Sequence, residues 1–164
     1  MRYVMISVVA VALLSMFGCD GGGSGYTDLP QYGTGTISTS DPQLDDGSRY
    51  DRRVITSPVS GDLVVVMASA GSDPLYDPYL IISRGSVDRP TVDNVIAVDD
   101  DAGSVYNAVA VFRADRGSRY TIFFNSYGAG DYGQYSYSIG TPAQLRSAAA
   151  VEDEPEVEKE PKVF

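Results

Sequence analysis

Tyr135, Tyr137 and Ile139 alternate with Ser136 and Ser138, and Tyr120, Ile122 and Phe124 alternate with Thr121, Phe123 and Asn125. A period of two sends successive side chains to opposite faces of a strand, so the first run has one apolar and one wet face. Leu63-Val64-Val65-Val66-Met67 and Leu80-Ile81-Ile82 are apolar on both faces, which marks central strands of a packed sandwich. Eight such runs are predicted, at 34–39, 50–56, 62–69, 78–83, 94–99, 106–113, 119–125 and 134–139. Turn-forming groups separate them, among them Asp41-Pro42, Ser60-Gly61-Asp62, Ala70-Gly71-Ser72, Arg116-Gly117-Ser118 and Gly128-Ala129-Gly130. The pattern predicts an all-β chain: a two-sheet antiparallel β-sandwich, jelly-roll-like, with about eight strands.

The flanks lack this alternation. Residues 1–18 read as a signal peptide, 19–33 as a Gly-rich tether, 34–142 as the sandwich domain and 143–164 as an acidic disordered tail. Residues 141–150 (TPAQLRSAAA) either form a brief helix or fray. The apolar run from Val4 to Phe17 is too short for a membrane span of roughly 20 residues but suits a signal-peptide core.

That run ends in Leu14-Ser15-Met16-Phe17-Gly18-Cys19-Asp20, which resembles the lipobox of bacterial lipoproteins. Met16 stands where that family prefers leucine. The resemblance implies cleavage before Cys19, diacylglycerol on its sulfur with palmitate-type acylation, and a location at the bacterial cell membrane. The domain would then be lipid-anchored and face the periplasm or the exterior. Each buried methylene contributes about 0.8 kcal/mol, and stable anchoring needs more than one chain, which a diacyl group supplies.

Composition narrows the chemistry. The chain has no His and no Trp, and Cys19 is its one cysteine, so Ser-His-Asp and Cys-His catalysis is excluded and no enzyme is expected. Zinc lacks its usual ligands. The formal net charge is −10, and every Glu and Lys lies within 152–162. An acidic chain opposes nucleic-acid binding, which rests on cations at phosphates. It suits divalent cations or basic partners instead.

Three landmarks in order resemble the bacterial pre-peptidase C-terminal domain, a β-sandwich found beside secreted proteases. They are Asp77-Pro78-Tyr79-Leu80-Ile81-Ile82, then Ile96-Ala97-Val98-Asp99-Asp100-Asp101-Ala102, then Gly117-Ser118-Arg119-Tyr120-Thr121-Ile122 with Gly133-Gln134-Tyr135-Ser136-Tyr137-Ser138-Ile139. The likeness spans about Gly33 to Ile139, and the charged Tyr50-Asp51-Arg52-Arg53-Val54 departs from it. It implies a non-catalytic binding or structural module contacting envelope or extracellular macromolecules, polysaccharide or protein. The alternative is an accessory or assembly factor for a secreted peptidase.

Two residue groups are candidates for binding. Asp77, Asp99 and Asp101 can supply oxygens to calcium, with Asp100 turned away by strand alternation. The competing reading is a solvated turn whose aspartates cap loop amides. Tyr127, Tyr132, Tyr135 and Tyr137 surround the last hairpin. Either they form an exposed strip for polysaccharide or extended peptide, with Tyr127 and Tyr132 binding, or Tyr135 and Tyr137 are core.

Overall fold

The computed structural model describes residues 25–100 and 107–152. Its eight strands are β1 (Gln31–Ile37), β2 (Tyr50–Thr56), β3 (Gly61–Ser69), β4 (Pro78–Arg84), β5 (Val95–Asp99), β6 (Asn107–Ala114), β7 (Arg119–Ser126) and β8 (Gly133–Gly140), followed by helix α1 (Pro142–Glu152). They form two antiparallel four-stranded sheets, in the orders β1-β8-β3-β6 and β2-β7-β4-β5. This is the β-sandwich that the alternation predicts, and its strand order is that of a jelly roll.

The core lies between the sheets. Leu63, Val65 and Met67 of β3 and Tyr135, Tyr137 and Ile139 of β8 meet Leu80 and Ile82 of β4 and Tyr120, Ile122 and Phe124 of β7. Tyr135 and Tyr137 are therefore core, flanking Phe124 at ring-centroid distances of 5.2 and 4.8 Å. Each fully buried large side chain contributes roughly 1.5–3 kcal/mol of burial energy.

Register explains the charged second strand. Asp51, Arg53 and Ile55 pair with Phe124, Ile122 and Tyr120, so all three share the inner face. Because β2 is an edge strand, Asp51 and Arg53 reach the open seam between the sheets. There Tyr135 Oη donates to Asp51 Oδ2 at 2.9 Å, and the Arg53 guanidinium stands 5.1 Å from the Tyr137 ring centre. Inward-facing charge on an edge strand also opposes edge-to-edge aggregation.

The other face of the second sheet is apolar too. Tyr50, Ile81 and Phe123 form a separate buried cluster, with Leu44, Tyr79, Val87 and Val95 packed against it. Loops 41–49 and 85–94 roof this face. Thr121 holds the second loop, accepting from Val87 N at 3.0 Å and donating to Gly85 O at 2.8 Å. Tyr50 Oη donates to Asp88 O at 2.9 Å. Both faces of β4 are thus buried, as its sequence implies. In β3 the outward Val64 and Val66 are only half-buried, because no comparable roof covers that sheet among the described residues.

Two boundaries need correction. β1 begins at Gln31, so 31–33 belong to the domain rather than to the tether. Gly33, which ends that tether in the sequence, is a strand residue here, covered by the Tyr137 ring. Residues 142–152 form α1 in place of the first part of the acidic tail. Its start is a capping box: Gln144 N donates to Thr141 Oγ1 at 3.3 Å, and Thr141 N donates to Gln144 Oε1 at 2.9 Å.

Candidate ligand cleft

The roofed face of the second sheet is incompletely closed. Beside loop 41–49 lies a cleft of about 440 Å³ bounded by Tyr79 and Ile81 of β4, Asn125 and Ser126 of β7, Tyr127, and the loop residues Leu44 and Asp46. Strand parity builds its floor: Tyr79 pairs with Asn125 and Ile81 with Phe123, all on the outer face. Tyr127 follows β7, and its amide donates to Asp77 O at 3.0 Å, which ties it to the start of β4. Asp77 has a positive φ of 57°, a left-handed conformation that aspartate tolerates better than most residues.

The two tyrosine rings form an edge-on pair, with centroids 6.0 Å apart and planes at 68°. Tyr127 is 64% exposed and Tyr79 half-buried, so the pair opens to solvent on one side. Asp46 Oδ1 accepts from Ser48 N at 2.9 Å and from Ser48 Oγ at 2.7 Å. Those bonds hold its carboxyl below the usual Asp range, so it is ionised at neutral pH. Burial first, and then the nearby Asp100 carboxylate, push the Tyr79 phenol upward, with Tyr127, Asp46 and Asp99 adding to the effect. Asn125 Nδ2 donates to Ser48 Oγ at 3.2 Å, which joins the cleft floor to the loop that carries Asp46.

A larger cavity of about 750 Å³ opens on the same face, lined chiefly by Ile81, Pro90, Val92, Val95 and Val98. Ile81 borders both spaces. Asp45 sits at the larger one, paired with Arg89 at 2.6 Å, while Asp46 sits at the smaller. An aromatic, anionic cleft therefore adjoins an apolar one.

The sequence-predicted residues fall into three groups. Cys19 and Asp101 lie outside the described residues. Asp99 spends its carboxylate on the fold, Oδ2 accepting from Val109 N of edge strand β6 at 2.7 Å. Among the described residues no three His, Cys, Asp or Glu side chains are grouped to hold a metal ion. Of the tyrosines, Tyr127 lines the cleft, whereas Tyr132 is 40% exposed and not among its walls. Tyr79, Asp46 and Asn125 were not singled out by sequence reasoning. Parity alone could have placed Tyr79 outward; nothing local shows that a loop more than thirty residues earlier in the chain brings Asp46 to it.

The described chain is thus an all-β sandwich with an aromatic and acidic cleft on one outer face. No family model and no curated protein matches it. Among the described residues no helix is long and apolar enough to cross a membrane.

Proposed function

We propose that this protein is a non-catalytic binding module held at a bacterial membrane surface by lipid on Cys19. Its sandwich, on this reading, contacts envelope or extracellular macromolecules. The observation that carries the proposal is the cleft beside Tyr79 and Tyr127. A pair of partly exposed aromatic rings, with an ionised carboxylate and a side-chain amide at its edge, suits recognition of a polar surface rather than bond cleavage. The lack of His, and of any cysteine besides Cys19, removes the common nucleophile–base pairs. The lipobox-like segment supports the tether, and the resemblance to pre-peptidase C-terminal domains agrees with an extracytoplasmic sandwich.

The test has two arms. In the first, the full chain is expressed in bacteria, fractionated and weighed by mass spectrometry. A diacylglyceryl mass on Cys19 with residues 1–18 removed is expected, along with loss of membrane attachment in Cys19→Ser. An unmodified Cys19 with 1–18 retained overturns the tether. In the second arm, the lipoprotein is cross-linked in intact cells. Retention of envelope polymer or protein, weakened by Tyr127→Ala, is expected; no captured macromolecule overturns the binding role.

A further inference from the structure

We infer that the Tyr79–Tyr127 cleft is a receptor for an organic ammonium group, and that the group it takes is a lysine side chain on an extended polypeptide partner. This rests on the binding role proposed above and specifies its ligand.

Three features point to a cation. The first is the ring geometry. Two tyrosines at 68° with centroids 6.0 Å apart form two walls of a corner, and the face of each ring, unlike its edge, is electron-rich. Attraction of ammonium to such faces strengthens as water is excluded. The second is fixed negative charge. Asp46 lines the cleft and is kept ionised by Ser48, and Asp100 is near enough to act on Tyr79. Among the described residues no Lys or Arg lines the space to neutralise them. The third is size: about 440 Å³ accommodates a four-carbon stem and its head, with Leu44 and Ile81 as apolar surface for the stem.

The neighbouring cavity selects the polypeptide over other ammonium sources. Ile81 borders both spaces, so a chain laid across it can place lysine in one and an apolar side chain in the other. In an extended strand, side chains on the same face repeat roughly every 7 Å. A phospholipid headgroup also carries ammonium, but its phosphate would stand near the Asp46 carboxylate that lines the cleft, where like charge repels it. The chain's net charge of −10 favours approach of a basic partner, with steering that weakens as salt rises.

The test titrates the full chain, held in a neutral maltoside detergent, with Nα-acetyl-lysine methylamide while ring-proton chemical shifts of Tyr79 and Tyr127 are followed. Saturable shifts are expected, with affinity reduced about fivefold in Tyr127→Ala and by a similar factor in Asp46→Asn. Tyr127 is exposed and Asn can keep both bonds from Ser48, so both variants should fold, Asp46→Asn melting slightly lower because the ionised carboxyl accepts those bonds more strongly. The uncharged Nα,Nε-diacetyl analogue should not bind. Binding of that analogue equal to the charged probe, or affinity unmoved in both variants, overturns the ammonium assignment. Phosphocholine binding as tightly as the lysine probe overturns the polypeptide source. A short lysine peptide with a valine two positions away should bind more tightly than the single residue; equal affinity also counts against an extended partner. If cells still yield a captured macromolecule while the lysine probe fails, this inference falls and the binding role stands.

Discussion

The ring of Tyr135 lies over Gly35, its partner across the β1–β8 ladder. A Cβ placed on Gly35 would come within 2.3 Å of the ring, and one on Gly33 within 2.5 Å of Tyr137 Oη. The glycines of β1 are thus seats for two aromatic side chains whose hydroxyl and ring meet Asp51 and Arg53 of the other sheet. Glycine costs strand stability in isolation, and here the cross-strand aromatic contact offsets it.

Gly35→Ala should therefore destabilise the fold by about 1–3 kcal/mol, the usual cost of overpacking. Urea denaturation of the full chain measures this. The loss should shrink when Tyr135→Ala is already present, since the added methyl then meets no ring, and a double-mutant cycle should report that coupling. Additive losses would contradict the contact.

Asp51 predicts a pH dependence of known sign. Partial burial raises its pKa above 3.8, with the Tyr135 hydroxyl opposing and Asp41 adding to the shift. The folded state then holds that proton more tightly than the unfolded state. The resulting stabilisation is complete below the ordinary Asp range and is lost as pH rises through the raised value. Asp51→Asn should accordingly gain stability relative to the parent at neutral pH and converge with it in acid. Urea midpoints from about pH 3 to pH 7 test this. A variant less stable at neutral pH than in acid, relative to the parent, would reverse the sign.

Asp99 separates the two readings of the acidic turn. Its carboxylate receives the Val109 amide of the β6 edge. Asp99→Ala should cost about 1–3 kcal/mol by leaving that amide without its acceptor, and Asp99→Asn less, because the amide oxygen still accepts. Thermal melts in EDTA should give the same penalty as melts in millimolar calcium. A penalty seen only with calcium would favour the calcium reading of Asp77, Asp99 and Asp101.

Thr141→Ala should fray the start of α1 at a cost of about 1 kcal/mol, because Thr141 Oγ1 is the acceptor for Gln144 N. Faster hydrogen exchange at the Gln144 amide, with the strands unaffected, is the expected readout.

How far the sequence could be read follows from the distance over which each feature is determined. The alternation of Tyr135, Tyr137 and Ile139 carries its own face assignment, as do Leu80, Ile81 and Ile82, because period two is local. Arg53 and Asp51 were opaque for the opposite reason. Charge on a strand reads as a wet face until the sheet order shows it to be an edge. Gly33 reads as linker because its function depends on a ring about a hundred residues away. The cleft was half visible: Tyr127 stands out in a turn, but its partners arrive from β4 and from the Leu44–Asp46 loop through pairings that no window of sequence contains.

The residues leading into β1 and the final helix are fastened to each other. Gln144 Nε2 donates to Leu29 O at 3.0 Å, and Leu145 and Pro30 close over Gly140. Because Gln31 pairs with Ile139, the domain's two ends leave from one corner of the sandwich. The domain is mechanically a ring, clasped where Gln144 meets Leu29 and where Thr27 N donates to Thr56 O at 2.9 Å. Tension applied between its ends opens these clasps and then peels β1 from β8 rung by rung, instead of shearing the whole ladder at once. By the same geometry the domain could be spliced into a surface loop of an unrelated host without its ends being pulled apart.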